Sequence, residues 1–542
     1  MSSPEDHASL EGAIRSILDG TFPQTSHLDT TTSNKVIHSL CSTSSSLNDQ
    51  VIETIAKCVS VTEINLAGMK MTEQHIRVIA SQNLTSLTLG YCRDLVQYQK
   101  GSSQKMIDLD ALLKDMLNQK SREQLEYLDL STEGGPENDD QFACRWLADG
   151  WTKTISTLLP SLTHLLFRNR DITTTDFQSL CSTLPNLQLL HLTNTNLTSL
   201  TGISNLQNLH TLRIGCLLIK ESSEVSELFE LQELRTLRFV CNGSGRYRCK
   251  MEASIVNAYM ESEKNLEKLE FADFSFLEIE DGKVENFVKT HPNLKTISVC
   301  GTNIQTLHYP NLTVLHSNSI KATVQSLEFY INQKDIWMIE KLIDKMDMLF
   351  EYSDNNTSQE DIQKAWSTVT LVLQSFGYVE GVRRRGVSCF EQVIEFACLE
   401  DISFDDRVQT VNVFLDVIAH SLPSLASESG FLEAMTPWTI LENRELILET
   451  PNIDYNRLAT LAMLFLEASD KGDEDTRPHL MILDLILERV DPESEGFEMF
   501  DVLKVLENLQ TISRRKDLDV TIKDAAKNAM NFVLNNFPVM DV

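Results

Sequence analysis

Along residues 60 to 315, large aliphatic residues return in one short unit of the form apolar-x-x-apolar-x-apolar. It reads VTEINL at 61–66, LTSLTL at 84–89, LEYLDL at 125–130, LTHLLF at 162–167, LQLLHL at 187–192 and LHTLRI at 209–214. LRTLRF at 234–239, LEKLEF at 266–271 and LKTISV at 294–299 continue the series, and NLTVL at 311–315 closes it. Alternation of this kind puts the apolar side chains on one face and the intervening ones on the other, so each unit predicts a short half-buried strand. From about residue 320 the period lengthens. SLEFYINQKDIWMIEKL, DIQKAWSTVTLVLQSFG, RVQTVNVFLDVIAHSL, RLATLAMLFLEAS and TIKDAAKNAMNFVLNNF place apolar residues at i, i+3, i+4 and i+7, which predicts successive helices. RLATLAMLFLEAS is apolar nearly all round and is expected to be buried.

A further helix is predicted ahead of the first strand. Ser3 suits the N-cap, Pro4 the first helical position, and Glu5 and Asp6 the positive end of the helix dipole. Leu10, Ala13, Ile14, Ile17 and Leu18 then make one apolar stripe, and Gly20 is a natural stop. SNKVIHSLC, 33–41, reads as a second helix. These two helices either cap the end of a repeat stack or present a face to another protein.

The repeated unit is the signature of leucine-rich repeats, in which inward-facing leucines line a parallel sheet and the residues between them form a concave face. Asn194 and Asn303 are read as the asparagines that follow the unit in such repeats, and STEGGPENDD at 131–140 as a surface loop. The expected fold is an α/β leucine-rich-repeat solenoid followed by an all-α armadillo-like helical domain, which is favoured over a closed bundle. Residues 1–50 would form an N-terminal helical segment and cap, 51–320 the irregular repeats and 321–542 the helical domain.

Composition narrows the function. A net charge of −31 opposes non-specific binding to nucleic acid and to anionic membranes. The N-terminus is acidic where a secretory signal would be basic, and no apolar run is long enough to span a bilayer. The 11 cysteines are scattered, so they read as reduced thiols of an intracellular protein, cytoplasmic with the nucleus as a second compartment. Cys241 and Cys249 alone do not make a zinc site. The sequence carries no phosphate-binding glycine loop, no Gly-x-Ser-x-Gly elbow and no paired-histidine metal motif, so neither catalysis, a cofactor nor a metal is expected. Arg383, Arg384 and Arg385 are read as an exposed cluster in a helix connector, and Trp366 as core.

The N-terminal helix bears a more specific likeness. Ser9, Leu10, Ile14 and Leu18 resemble an Elongin C-binding box, with Ile14 where that box usually has Cys. Together with the order of repeats and helices, and with the stretches 184–214, 284–304 and 326–342, the chain resembles the ZYG/ZER family of substrate receptors of cullin-2 RING ubiquitin ligases. The resemblance implies adaptor binding through Ser9, Leu10, Ile14 and Leu18, and a cullin contact, cullin-2 in the family, through Val36, Ile37 and Leu40. It implies further that Met530 and Asn531 stand at part of the pocket in which the family's helical domain captures a small N-terminal residue of a substrate. Three departures accompany it. The region of Val36 lacks the family's cullin-box proline, Met530 replaces a tryptophan, and the chain ends at Val542 before the repeats that complete the pocket. The family's substrate specificity is therefore not expected to carry over.

The sequence thus points first to a non-catalytic substrate-recognition subunit of a cullin-RING ubiquitin ligase. The alternatives are a protein-interaction scaffold that no longer engages a ligase, and a leucine-rich-repeat regulator that blocks a partner's site. The target protein is not legible, because residues between the leucines vary without disturbing the fold.

Overall fold

A computed structural model describes residues 60–66, 73–89, 97–98, 105–131, 146–148, 150–219, 222–239, 253–279, 281–302, 304, 309–352, 357–377, 379–421 and 520–536, with a few single residues besides. The chain divides into two compact units, with the break between Phe329 and Tyr330.

The first unit is built on short strands: β1 (Glu63–Asn65), β2 (Ser86–Thr88), β3 (Gln97–Tyr98), β4 (Lys105–Ile107), β5 (Tyr127–Asp129), β6 (Trp146–Leu147) and β7 (His164–Leu166). β8 (Leu189–Thr193), β9 (Thr211–Gly215), β10 (Thr236–Phe239), β11 (Phe271–Asp273), β12 (Thr296–Ser298) and β13 (Thr313–Leu315) follow. Ten of these form one sheet in the order β1-β2-β5-β7-β8-β9-β10-β11-β12-β13. Neighbours in it are parallel. β3, β4 and β6 make a small separate sheet that the apolar pattern did not announce.

Each inward ladder is filled by the leucines of the repeat. Leu87, Leu128, Leu165, Leu190, Leu212 and Leu237 occupy one register row and are all fully buried. Between strands the chain returns through helices and 3-10 turns. These are α1 (Glu73–Ala80), α2 (Leu109–Met116), α3 (Gln119–Gln124), α4 (Trp151–Leu158), α5 (Thr174–Thr183), α6 (Ala253–Glu261) and α7 (Asp281–Thr290). Behind β10 to β12 the core becomes aromatic. Tyr259 stacks on Phe229 at 4.9 Å between ring centroids, and Phe287 meets Phe274 edge-on at 5.1 Å.

Two sequence readings need correction. LEKLEF is not the structural unit, because Thr236 pairs with Phe271 and Leu237 with Ala272, which makes the equivalent of LRTLRF the stretch Leu269–Phe274. The asparagine position also differs. The residue three beyond the second outward position of the strand is Asn169, Asn194, Cys216, Phe276 or Gly301, according to the pairing of β7 with β8, β8 with β9 and β11 with β12. All five have positive φ, from 50° to 66°. The backbone turns out of the sheet here, and the N–H groups of Asn169, Asn194 and Phe276 donate to the next repeat at 2.7 to 2.9 Å. Asn194 is where it was expected. The matching position in the last such repeat is Gly301, and Asn303 lies outside the described residues. The loop 132–140 and the pair Cys241 and Cys249 lie outside them too.

The first unit ends in the opening turns of α8 (Ile320–Asn332). The second contains α9 (Ile336–Glu351), α10 (Gln359–Phe376), α11 (Glu380–Phe396) and α12 (Phe404–Ser421), and a later helix, Val520–Asn536. α11 packs on α9 and α10, and α12 packs on α10. Ser358 caps α10 by accepting from the Asp361 N–H at 3.2 Å while its own hydroxyl donates to that carboxylate. Trp366 is fully buried, edge-on to Phe390 at 4.6 Å, and its indole N–H donates to Thr410 Oγ1 at 2.9 Å. Arg383, Arg384 and Arg385 lie within α11 rather than in a connector. Arg385 pairs with Asp344 of α9, and Arg383 reaches back to the Gly377 carbonyl.

Candidate interaction surface

Side chains alternate along a strand, so the residues flanking each buried leucine stand on the opposite, concave face. Strand register arranges them in rows. One row runs Tyr127, His164, Leu189, Thr211, Thr236, Phe271, Thr296, and the next runs Asp129, Leu166, His191, Arg213, Arg238, Asp273, Ser298. Arg168, two residues beyond Leu166, extends the same face.

This face has two different parts. At β10 to β12 its polar side chains are buried: Arg238 is 2% exposed, and Asp273 and Ser298 are fully buried. Arg238 donates to Asp273 Oδ2 through Nε at 2.9 Å and Nη2 at 2.8 Å. The Ser275 N–H donates to the other carboxylate oxygen at 2.9 Å. The cover is α8. Phe329 lies 5.2 Å from Phe271, ring to ring, and buried Ser326 of the same helix donates to the His316 carbonyl. Burial and the neighbouring serines put Cys300 in the same closed region, where desolvation pushes its thiol up to about 11. A thiol held there is protonated and inert.

At β5 to β9 the face is open. Tyr127, Asp129, His164, Arg168, His191 and Arg213 are all half-buried. Asp129 accepts from the Ser131 N–H at 2.8 Å. Burial raises its pKa, against the pull of Ser131 and the positive charges of Arg168 and Arg170. Burial likewise raises the Tyr127 phenol, and lowers His164 although Glu126 at the strand edge works against that shift. His164 is therefore neutral near pH 7. His191 is tied to Thr193 Oγ1 at 2.7 Å. Arg170 is buried and donates through Nε to the Leu130 carbonyl at 2.6 Å. No group among these is placed as a nucleophile beside a base. No cluster of His, Cys, Asp and Glu among the described residues could hold a metal ion. The arrangement is suited to holding a partner by charge and hydrogen bonds.

None of these concave residues stood out in the sequence, although a signal was there. The third and fifth places of LEYLDL, LTHLLF, LQLLHL and LHTLRI hold tyrosine, aspartate, histidines and arginine among small or aliphatic residues. The residues singled out from the sequence fall elsewhere. Ser9, Leu10, Ile14, Leu18, Val36, Ile37 and Leu40 lie outside the described residues. Met530 is half-buried and Asn531 exposed on the helix Val520–Asn536, which buries Ala529 and Val533 instead.

No family model matches the chain. It is 25% identical over 495 residues to gastrulation-defective protein 3 of Caenorhabditis elegans, a match that covers 88% of this chain and 66% of that protein. The chain thus spans just under two thirds of that relative's length. Among solved structures, internalin C2 of Listeria monocytogenes aligns at 16% identity and a TM-score of 0.25, covering 52% of this chain and 92% of its own. An internalin, InlF, of the same organism aligns at 14% identity and a TM-score of 0.28, covering 58% and 97%.

Fold and surface together define a leucine-rich-repeat protein continued by a unit that is helical among the described residues. Its match to gastrulation-defective protein 3 extends along most of its own length, and that protein is what the chain is similar to.

Proposed function

We propose that the chain is a non-catalytic substrate-recognition subunit of a cullin-RING ubiquitin ligase, acting inside the cell. The helix bearing Ser9, Leu10, Ile14 and Leu18 would dock Elongin C, Val36, Ile37 and Leu40 would meet a cullin of the cullin-2 kind, and the repeats would hold the target. The observation that carries this reading is the succession of repeats and helices in a chain that matches its relative over 88% of its own length. A solenoid offers a continuous binding face without a catalytic pocket, as a receptor subunit requires. Among the described residues no helix is long and apolar enough to cross a membrane, which is compatible with an intracellular site of action.

The test is co-purification of the tagged full chain with Elongin C and a cullin. Leu10→Ala combined with Ile14→Ala removes two anchors of the docking stripe, a loss of several kcal/mol at an interface of this kind. It should release the adaptor and leave the melting temperature unchanged. A double variant that still carried Elongin C would refute the assigned docking site, and a wild-type chain that never carried it would refute the receptor reading.

A further inference from the structure

We propose that the open part of the concave face, β5 to β9, is a binding surface for an acidic, extended segment of a partner protein, held by Arg168 and Arg213. The inference deepens the receptor reading by giving the chemical class of the target segment, and in that sense it rests on it.

The protein carries 78 acidic residues against 47 basic ones, so a cationic spot has to be made locally. On the concave positions of β5, β7, β8 and β9 the register carries one arginine, Arg213 beside His191, and one carboxylate, Asp129, and the charge of Arg168, just beyond β7, acts on that carboxylate. That carboxylate is itself raised in pKa by burial and already accepts from the Ser131 N–H. Of the other polar groups there, Tyr127 and His164 are neutral near pH 7, and His191 is hydrogen-bonded to Thr193 Oγ1. Leu166 and Leu189 lie between them and give the surface an apolar floor.

Geometry limits the occupant. Four strands spaced at about 4.8 Å span roughly 14 Å, which four to five extended residues cross. Towards the C-terminal end of the sheet the face is closed, because Arg238 and Asp273 are buried against each other and Phe329 covers Phe271. A segment laid across β5 to β9 therefore meets Arg213 at one side and Arg168 near its middle. Guanidinium groups prefer carboxylates, to which they donate in pairs. A long polyanion is the poorer fit, since the acidity of the rest of the chain repels everything beyond the first few charges.

The experiment is fluorescence anisotropy with the purified full chain and two labelled probes, an octaglutamate and an octaglutamine. The glutamate probe should bind about tenfold or more tightly than the glutamine probe, and the difference should shrink as salt rises from 50 mM to 500 mM. Arg168→Ala with Arg213→Ala should remove the preference. Asp129→Asn keeps the oxygen that accepts from Ser131 and deletes the opposing charge, so it should tighten the glutamate probe about threefold or more. Should the Arg213 substitution unfold the repeats, Arg168→Ala alone and Asp129→Asn still give opposite expected signs. Equal binding of the two probes, an unaltered double variant, weaker binding by Asp129→Asn, or preferential binding of a single-stranded DNA oligonucleotide would each overturn the proposal. Because no adaptor is present in the assay, these failures would leave Elongin C binding to be judged separately. Loss of Elongin C from the co-purification would equally leave the peptide result standing.

Discussion

Replacing Asp273 by Ala tests the reading that the buried pair on the concave face fastens α8 to the sheet. In the native fold Asp273 is fully buried and takes both Nε and Nη2 of Arg238, which is 2% exposed. Alanine removes the charge and leaves the guanidinium in the same desolvated position. A charge stranded in this way costs about 3–5 kcal/mol. The Ser275 N–H, which donated to Asp273 Oδ1, loses its acceptor too, and an orphaned buried donor costs about 1–3 kcal/mol more if no water reaches it. The pair itself contributes far less than its rupture costs, so Arg238→Met combined with Asp273→Leu should lie within about 2 kcal/mol of wild type. The assay is urea unfolding of the full chain, with amide exchange read separately in α8 and in β5. Two compact units need not unfold together, so local protection is the primary readout. Asp273→Ala should lower protection in α8 and β11 by at least a hundredfold, and the double variant should restore most of it. If Asp273→Ala costs under 1 kcal/mol, or if the double variant is as damaging as the single one, the pair is not the fastening.

Gly301→Ala should destabilise the repeats by about 1–2 kcal/mol, since φ is +66° and an added Cβ would run into the Phe276 ring. Asn194 and Cys216 hold the same backbone conformation without glycine, so most of the loss should be relieved by adding Phe276→Ala in a thermal melt. Thr410→Val should cost about 1–3 kcal/mol by denaturant titration, because it leaves the buried indole N–H of Trp366 without its acceptor. His291 is buried, its Nδ1 lies 2.9 Å from the Phe287 carbonyl, and burial lowers its pKa. The unfolded chain therefore takes up a proton first. Stability should fall as pH drops through about 6.5, the unfolded value, and His291→Asn should flatten that part of the profile.

What the sequence disclosed and what it withheld follow from the same physics. Leucines at alternate positions report burial directly, and so the strands at 86–88, 127–129, 164–166, 189–193 and 211–215 were legible. The repeat at β11 was misaligned because its inward residue is Ala272, too small to register, while Leu266 and Leu269 upstream mimic the spacing. β4 and β6 stand outside the series of leucine repeats, so no recurring unit marks them. Three adjacent charges look solvent-bound, which favours a connector for the arginine run, yet the helix turns one of them onto Asp344. Concave residues are the hardest case. The fold constrains only their backbone, so Arg213 and Thr211 are equally permitted, and only the register shows which strand neighbours they have.

Arg213 and Arg238 illustrate how one register row can serve two purposes. They are paired residues on adjacent strands, identical in type and in place within the repeat. What separates them is the next strand and its cover. Arg238 faces Asp273 on β11 and lies over the Phe271 ring that Phe329 of α8 meets, so its charge is cancelled inside the molecule. Arg213 faces His191 on β8, and stays half-buried on the open face. The two arginines should therefore fail differently. Arg238→Ala strands the carboxylate and should appear as lost protection in α8 with little direct effect at β5 to β9. Arg168→Ala, on the open side, should leave protection in α8 intact and act on the acidic probe alone. If both variants changed stability and probe binding together, the division of the face into a fastened end and a receptive centre would be wrong.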